Sequence, residues 1–118
     1  VPEFIVMFPA DDEAAWLAAT PEQRQATYDT DVEFVGRLRA AGGSVTGGAA
    51  LGPSAGVATL RRGPGEEALL TDGPFAETVE QLSGVYVVQA PDREAVVEAA
   101  RVLLRAHPVV EVRPVDED

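Results

Sequence analysis

The chain has 118 residues, enough for a single domain, 1–118, near the commonest domain size and with room for a core. Its net charge is −11, from 20 acidic residues against nine basic ones that are all arginine, and such a chain repels phosphate backbones, so no direct nucleic-acid binding is expected. With no Cys there are no disulfides, thiol nucleophiles or Cys-based zinc sites; no apolar run approaches membrane-spanning length, and the cytoplasm is the expected compartment.

The first element is the apolar run Phe4 to Phe8, of strand length and expected to be buried on both faces; Pro9 ends it. Asp11-Asp12-Glu13 can cap a short helix, Ala14 to Ala19, that carries Trp16 and Leu17. Thr20-Pro21-Glu22-Gln23 is a helix start with a capping box. That helix is expected to run to about Ala41, with Gly42 just beyond its end. Its helical spacing gathers Tyr28, Val32, Phe34, Val35, Leu38 and Ala41 on one side, with Asp31 in the middle of the stripe.

Ser44 to Leu51 reads as a strand of small residues, which lets another backbone or a ligand come close. Gly56 to Arg61 and Ala68 to Thr71 read as an inserted hairpin around Gly63-Pro64-Gly65. Asp72-Gly73-Pro74 stops the second of these strands, and Phe75 is expected as a plug under the turn. Gly84 opens the strand Val85 to Val88, where a Gly often marks a close backbone approach. Asp92 caps a second helix whose apolar side is Ala95, Val96, Ala99, Val102, Leu103 and Ala106. His107-Pro108 ends it, with the His complementing the helix dipole, and Val109 to Val115 is the last strand.

The run Asp72-Gly73-Pro74-Phe75-Ala76-Glu77-Thr78, followed by Gln81-Leu82-x-Gly84-x-Tyr86, resembles the signature of the YCII-related family in its DGPF-domain branch. The ending Val110 to Val115 is similar to that family's last strand, and the likeness covers essentially the whole chain. It implies an α+β, ferredoxin-like βαββαβ fold with an inserted β-hairpin. An antiparallel sheet would carry two main helices on one face, and two sheets would pack as a dimeric α/β barrel. A homodimer also follows from physics: two helices cover one sheet face, and the other is too large an apolar patch for a monomer. The resemblance implies no reaction. Some better-known members have a proposed His–Asp pair with the His at about the place of Asp31; here the helix has no His.

Asp31 is the sharpest catalytic candidate, because a desolvated carboxylate suits a general acid or base near neutral pH. Asp72 is the second; it either caps its own turn or faces a cleft beside Asp31. Tyr28, Phe75, Glu77, Tyr86 and Arg61 are candidate ligand-binding residues. No metal or cofactor is expected: a lone His107 cannot anchor a usual zinc site, and Gly63-x-Gly65 precedes a strand rather than a helix. Two functions are open. One is small-molecule binding in a cleft of the dimer, with cofactor-free acid/base chemistry. The other is a non-catalytic regulatory or accessory role linked to extracytoplasmic-function sigma factors, since relatives carry the label transcription initiation protein. In that role the partner would be a protein.

Overall fold

The computed structural model describes residues 1–75 and 80–117. In chain order the elements are β1 (Glu3–Met7), β2 (Asp11–Asp12), α1 (Glu13–Leu17), α2 (Pro21–Ala40), β3 (Ser44–Ala50), β4 (Ala58–Arg62), β5 (Ala68–Asp72), β6 (Glu80–Gln81), β7 (Gly84–Gln89), α3 (Arg93–Ala100) and β8 (Glu111–Pro114). A 3₁₀ turn at Ser54–Gly56 precedes β4, and another at Arg101–Arg105 prolongs α3.

The main sheet has the order β3-β7-β1-β8, with every neighbouring pair antiparallel. This antiparallel α+β arrangement is compatible with a ferredoxin-like fold. β8 is an edge strand, which is where Pro114 costs no ladder bond. The remaining strands form two ribbons, β2-β6 and β4-β5.

Local chemistry sets the helix ends. Thr20 and Gln23 exchange side-chain to backbone hydrogen bonds in a complete capping box ahead of Pro21. Asp92 accepts from the Ala95 N–H at the start of α3. Phe4, Val6 and Phe8 meet Phe34 and Leu38 of α2, and Val96, Ala99, Val102 and Leu103 of α3 and its extension, in one core. β1 alternates rather than being buried throughout: Phe4 and Val6 face the helices, while Ile5 and Met7 are half-buried on the other side.

The stripe of α2 also departs from its sequence reading. Its buried ridge is Thr30, Phe34 and Leu38, so Tyr28 and Val32 are exposed and Asp31 lies on the margin, half-buried. Thr30 is polar, but its hydroxyl donates to the Thr27 carbonyl at 2.7 Å, which allows it to be buried. The hydroxyl is satisfied locally, and the ridge can rotate toward it.

The inserted hairpin is present as β4 and β5, paired Leu60 to Leu70 and Arg61 to Leu69. No residue of either strand is buried. Phe75, expected as a plug, is 78% exposed, because no layer formed by the described residues lies over it. Gly73, at φ +126, turns the chain there. Its N–H bonds the Val57 carbonyl, and its carbonyl accepts from the Thr59 hydroxyl at 2.7 Å.

Candidate functional site

Polar chemistry collects at one end of the sheet. At the end of β1 the Phe8 N–H bonds the Gly84 carbonyl, and the Ser83 N–H bonds the Phe8 carbonyl. The chain then makes the short β2-β6 ribbon, which sets Asp11 opposite Gln81. Asp12 is consumed as the N-cap of α1, accepting from the Ala15 N–H at 3.2 Å. Asp11 is left pointing inward. Its Oδ2 accepts from the Ser83 hydroxyl and lies 2.7 Å from Nδ1 of His107.

His107 is the chain's only histidine. It is 8% exposed. Its own N–H bonds the Leu103 carbonyl at 3.0 Å, which closes the last turn before Pro108. The imidazole stacks on Phe8 with ring centroids 3.8 Å apart and planes 7° from parallel. Phe8 also meets Tyr86 edge-on at 6.1 Å, and Tyr86 tilts against Phe34 at 5.4 Å. A ladder of rings therefore links β1, β7, α2 and the end of the α3 extension.

Asp31 stands at the far end of this ladder. Burial holds its carboxyl above the usual aspartate range, and a hydrogen bond with Tyr86 and the nearby His107 charge draw it partly back. Tyr86 responds in the opposite sense to charge: burial, then the hydrogen bond and negative charge of Asp31, push its hydroxyl well above the usual tyrosine value. Gly48 lies opposite Tyr86 in the β3-β7 ladder. A Cβ there would come 3.3 Å from the Tyr86 ring and 2.5 Å from the Val85 carbonyl, so only glycine lets β3 approach so closely.

Two carboxylates, an imidazole and a phenol thus share one end of a small domain. Asp11 is nearly enclosed and fixes the imidazole; Asp31 and Tyr86 are half-buried and reachable from outside. Such a group can accept a proton, hold it and return it.

The other sequence candidates are dispersed. Asp72 and Arg61 lie on the exposed hairpin, and Asp72 is not among the groups that act on Asp31. Arg61 has no ion-pair partner among the described residues. Tyr28 is exposed and packs edge-on against Trp16 at 5.8 Å, with the Arg24 guanidinium 5.0 Å from the centre of the Trp16 ring. Phe75 is exposed, and Glu77 lies outside the described residues. The clefts beside α3, one lined by Arg93, Val97, Arg101, Leu104 and Val112, are open surface grooves away from the cluster.

Sequence reasoning missed Asp11, Ser83 and His107. His107 was given to the helix dipole, yet it continues the buried spacing Val96, Ala100, Leu103, and that was the legible signal. Asp11 carried none, because its partners are 72 and 96 residues away in the chain.

A family model for the YCII-related domain matches residues 4–117. The chain belongs to that family. It is also 36% identical over 107 residues to an uncharacterised protein of Rhizobium meliloti (strain 1021), a match covering 88% of this chain and 85% of the relative. In this YCII-related chain the His of the site comes from the end of the α3 extension, and its aspartate partner from the segment after β1. No helix among the described residues is long and apolar enough to cross a membrane.

Proposed function

We propose that this YCII-related protein binds a small molecule at the Asp31–Tyr86–His107 cluster and moves a proton on it without a cofactor. The observation that carries the reading is the burial of the single histidine against Asp11, with a second, half-buried carboxylate near it. Enclosing that much titratable chemistry costs stability, and folds concentrate such groups where they are used. Asp31 is the base. Its raised affinity for a proton suits abstraction from a carbon acid beside a carbonyl, and the Tyr86 hydroxyl, bonded to the Asp31 carboxylate, holds that base in place. His107, oriented by Asp11, stabilises the charged Asp31 and takes part in returning the proton.

The same reading places the site in a homodimer. Ile5, Met7, Val85 and Val87 share the sheet face that carries no helix, with Ile5 paired to Val87 and Met7 to Val85. A second copy packed there gives the dimeric α/β barrel that the family resemblance implies.

The test is solvent deuterium exchange into a panel of small carbonyl compounds, followed by proton NMR. The wild type is expected to exchange at least one of them above the buffer rate, and Asp31→Asn to lose on the order of 100-fold of that acceleration. Exchange equal in the two proteins removes Asp31 from the role of base. No exchange across the panel, with the His107 ring resonances unmoved by any member, defeats the reading.

A further inference from the structure

Resting on the dimer reading above, we propose that the β4-β5 hairpin is an intersubunit clasp whose Leu60–Leu70 face seats on a second copy of this chain. Strand alternation puts Ala58, Leu60, Ala68 and Leu70 on one face of the ribbon, with Arg62 and Asp72 at its two ends and Leu60 directly opposite Leu70 at its centre. Leu60 is 69% exposed and Leu70 66% exposed. An isolated two-stranded ribbon is marginally stable in water, because it has no third strand or helix to cover its apolar face. Among the described residues, nothing in this chain covers that face.

The base of the hairpin is nonetheless fixed. The Glu13 carboxylate accepts from both the N–H and the hydroxyl of Ser54, at 2.9 and 2.8 Å. Gly73 is bonded to Val57 and Thr59 on the opposite strand. The ribbon therefore leaves the body of the protein in a set direction, with its apolar face held ready.

Surface area identifies the occupant. A folded monomer of 12.4 kDa has about 6,100 Å² of accessible surface, whereas this chain has 7,813 Å². The excess, roughly 1,700 Å² per protomer, is of the size that a permanent homodimer covers. The molecule measures 51 × 43 × 18 Å, so it is one sheet and one helix layer thick. A second copy can cover the open sheet face and the ribbon together, and the exposed Phe75 beside the ribbon base adds to that surface. Nucleic acid is disfavoured by the charge of −11.

The experiment is sedimentation equilibrium over a wide concentration range, on the wild type and on Leu60→Ser/Leu70→Ser. A second measurement uses the absence of cysteine: Leu69→Cys, on the other ribbon face, carries a nitroxide and is mixed with unlabelled, ¹⁵N-enriched chain. The expected result is a dimeric wild type, at least a tenfold weaker dimer in the double variant with unchanged far-UV circular dichroism, and inter-chain broadening of ¹⁵N-chain amides. A dimeric wild type with equal affinity in the variant, or with no inter-chain broadening, overturns the clasp and leaves the dimer standing. A wild type that is monomeric throughout overturns both, and leaves the ribbon to a different protein partner.

Discussion

Two regions that adjoin the Ala50 end of β3 are built in opposite ways. Where Gly84 meets Phe8, the Phe8 ring and the Asp11 carboxylate close on His107, Ser83 donates to Asp11 Oδ2, and Asp11 Oδ1 is the one buried side-chain polar atom among the described residues without a hydrogen-bond partner. The inserted ribbon that follows β3 has regular strand pairing and almost no burial. Backbone pairing gives the ribbon its shape and a few side-chain bonds fix its base, whereas the cluster is held mainly by side chains. Substitutions should therefore cost far more at the cluster than on the ribbon, when both are measured on the monomer.

The largest effect is expected from Asp11→Ala. It strips the partner from an imidazole that is 8% exposed and removes the acceptor of the Ser83 hydroxyl. Breaking a buried pair of this kind costs about 3 kcal/mol, which lowers Tm by roughly 10 °C or more in a domain of this size. Calorimetry on the variant checks it; a loss under about 1 kcal/mol would mean the pair is not sealed from water.

Phe8→Leu is next. It keeps an apolar side chain but removes the ring stacked on His107 and the edge contact with Tyr86. The cost should be about 1.5 kcal/mol, and the imidazole proton signals should lose their ring-current shift. An unmoved imidazole spectrum would contradict the stacking.

Asp31→Asn gives an effect whose sign matters more than its size. The folded-state carboxyl titrates above its unfolded value, so the protonated form is favoured by folding. The contribution is full below pH 3.8 and is lost as the pH rises through the raised folded value. The asparagine variant should therefore gain on the wild type in urea unfolding at neutral pH, with the gain vanishing below about pH 3.8. A variant that is less stable at neutral pH would show that Tyr86 and His107 more than offset the burial.

Leu60→Ala should change the stability of the monomer by less than about 0.5 kcal/mol, since its side chain is mostly in water already. A large loss in dilute protein would mean that the ribbon is covered within its own chain, and would erase the contrast.

Much of the framework was legible in the residues. Thr20-Pro21 with Gln23, and Asp92 before α3, fixed two helix starts through bonds made within three residues. The hairpin could be read from its turn and its two apolar runs, and the placement of Pro114 on an edge strand from its missing N–H. Asp31 and Tyr86 were both named as candidates, and tertiary structure joins them by a hydrogen bond.

What the sequence determined by itself was whatever depends on neighbours a few residues apart: caps, turns, strand alternation and the family signature. Which side of α2 turns inward, that Asp11 and not Asp12 meets His107, and that Phe75 faces out were decided only by tertiary structure. The physical reason is range. A cap or a turn is closed by groups that the chain already holds together, whereas a buried pair spanning 96 residues exists only after β1, β7 and α3 have packed and excluded water from between them.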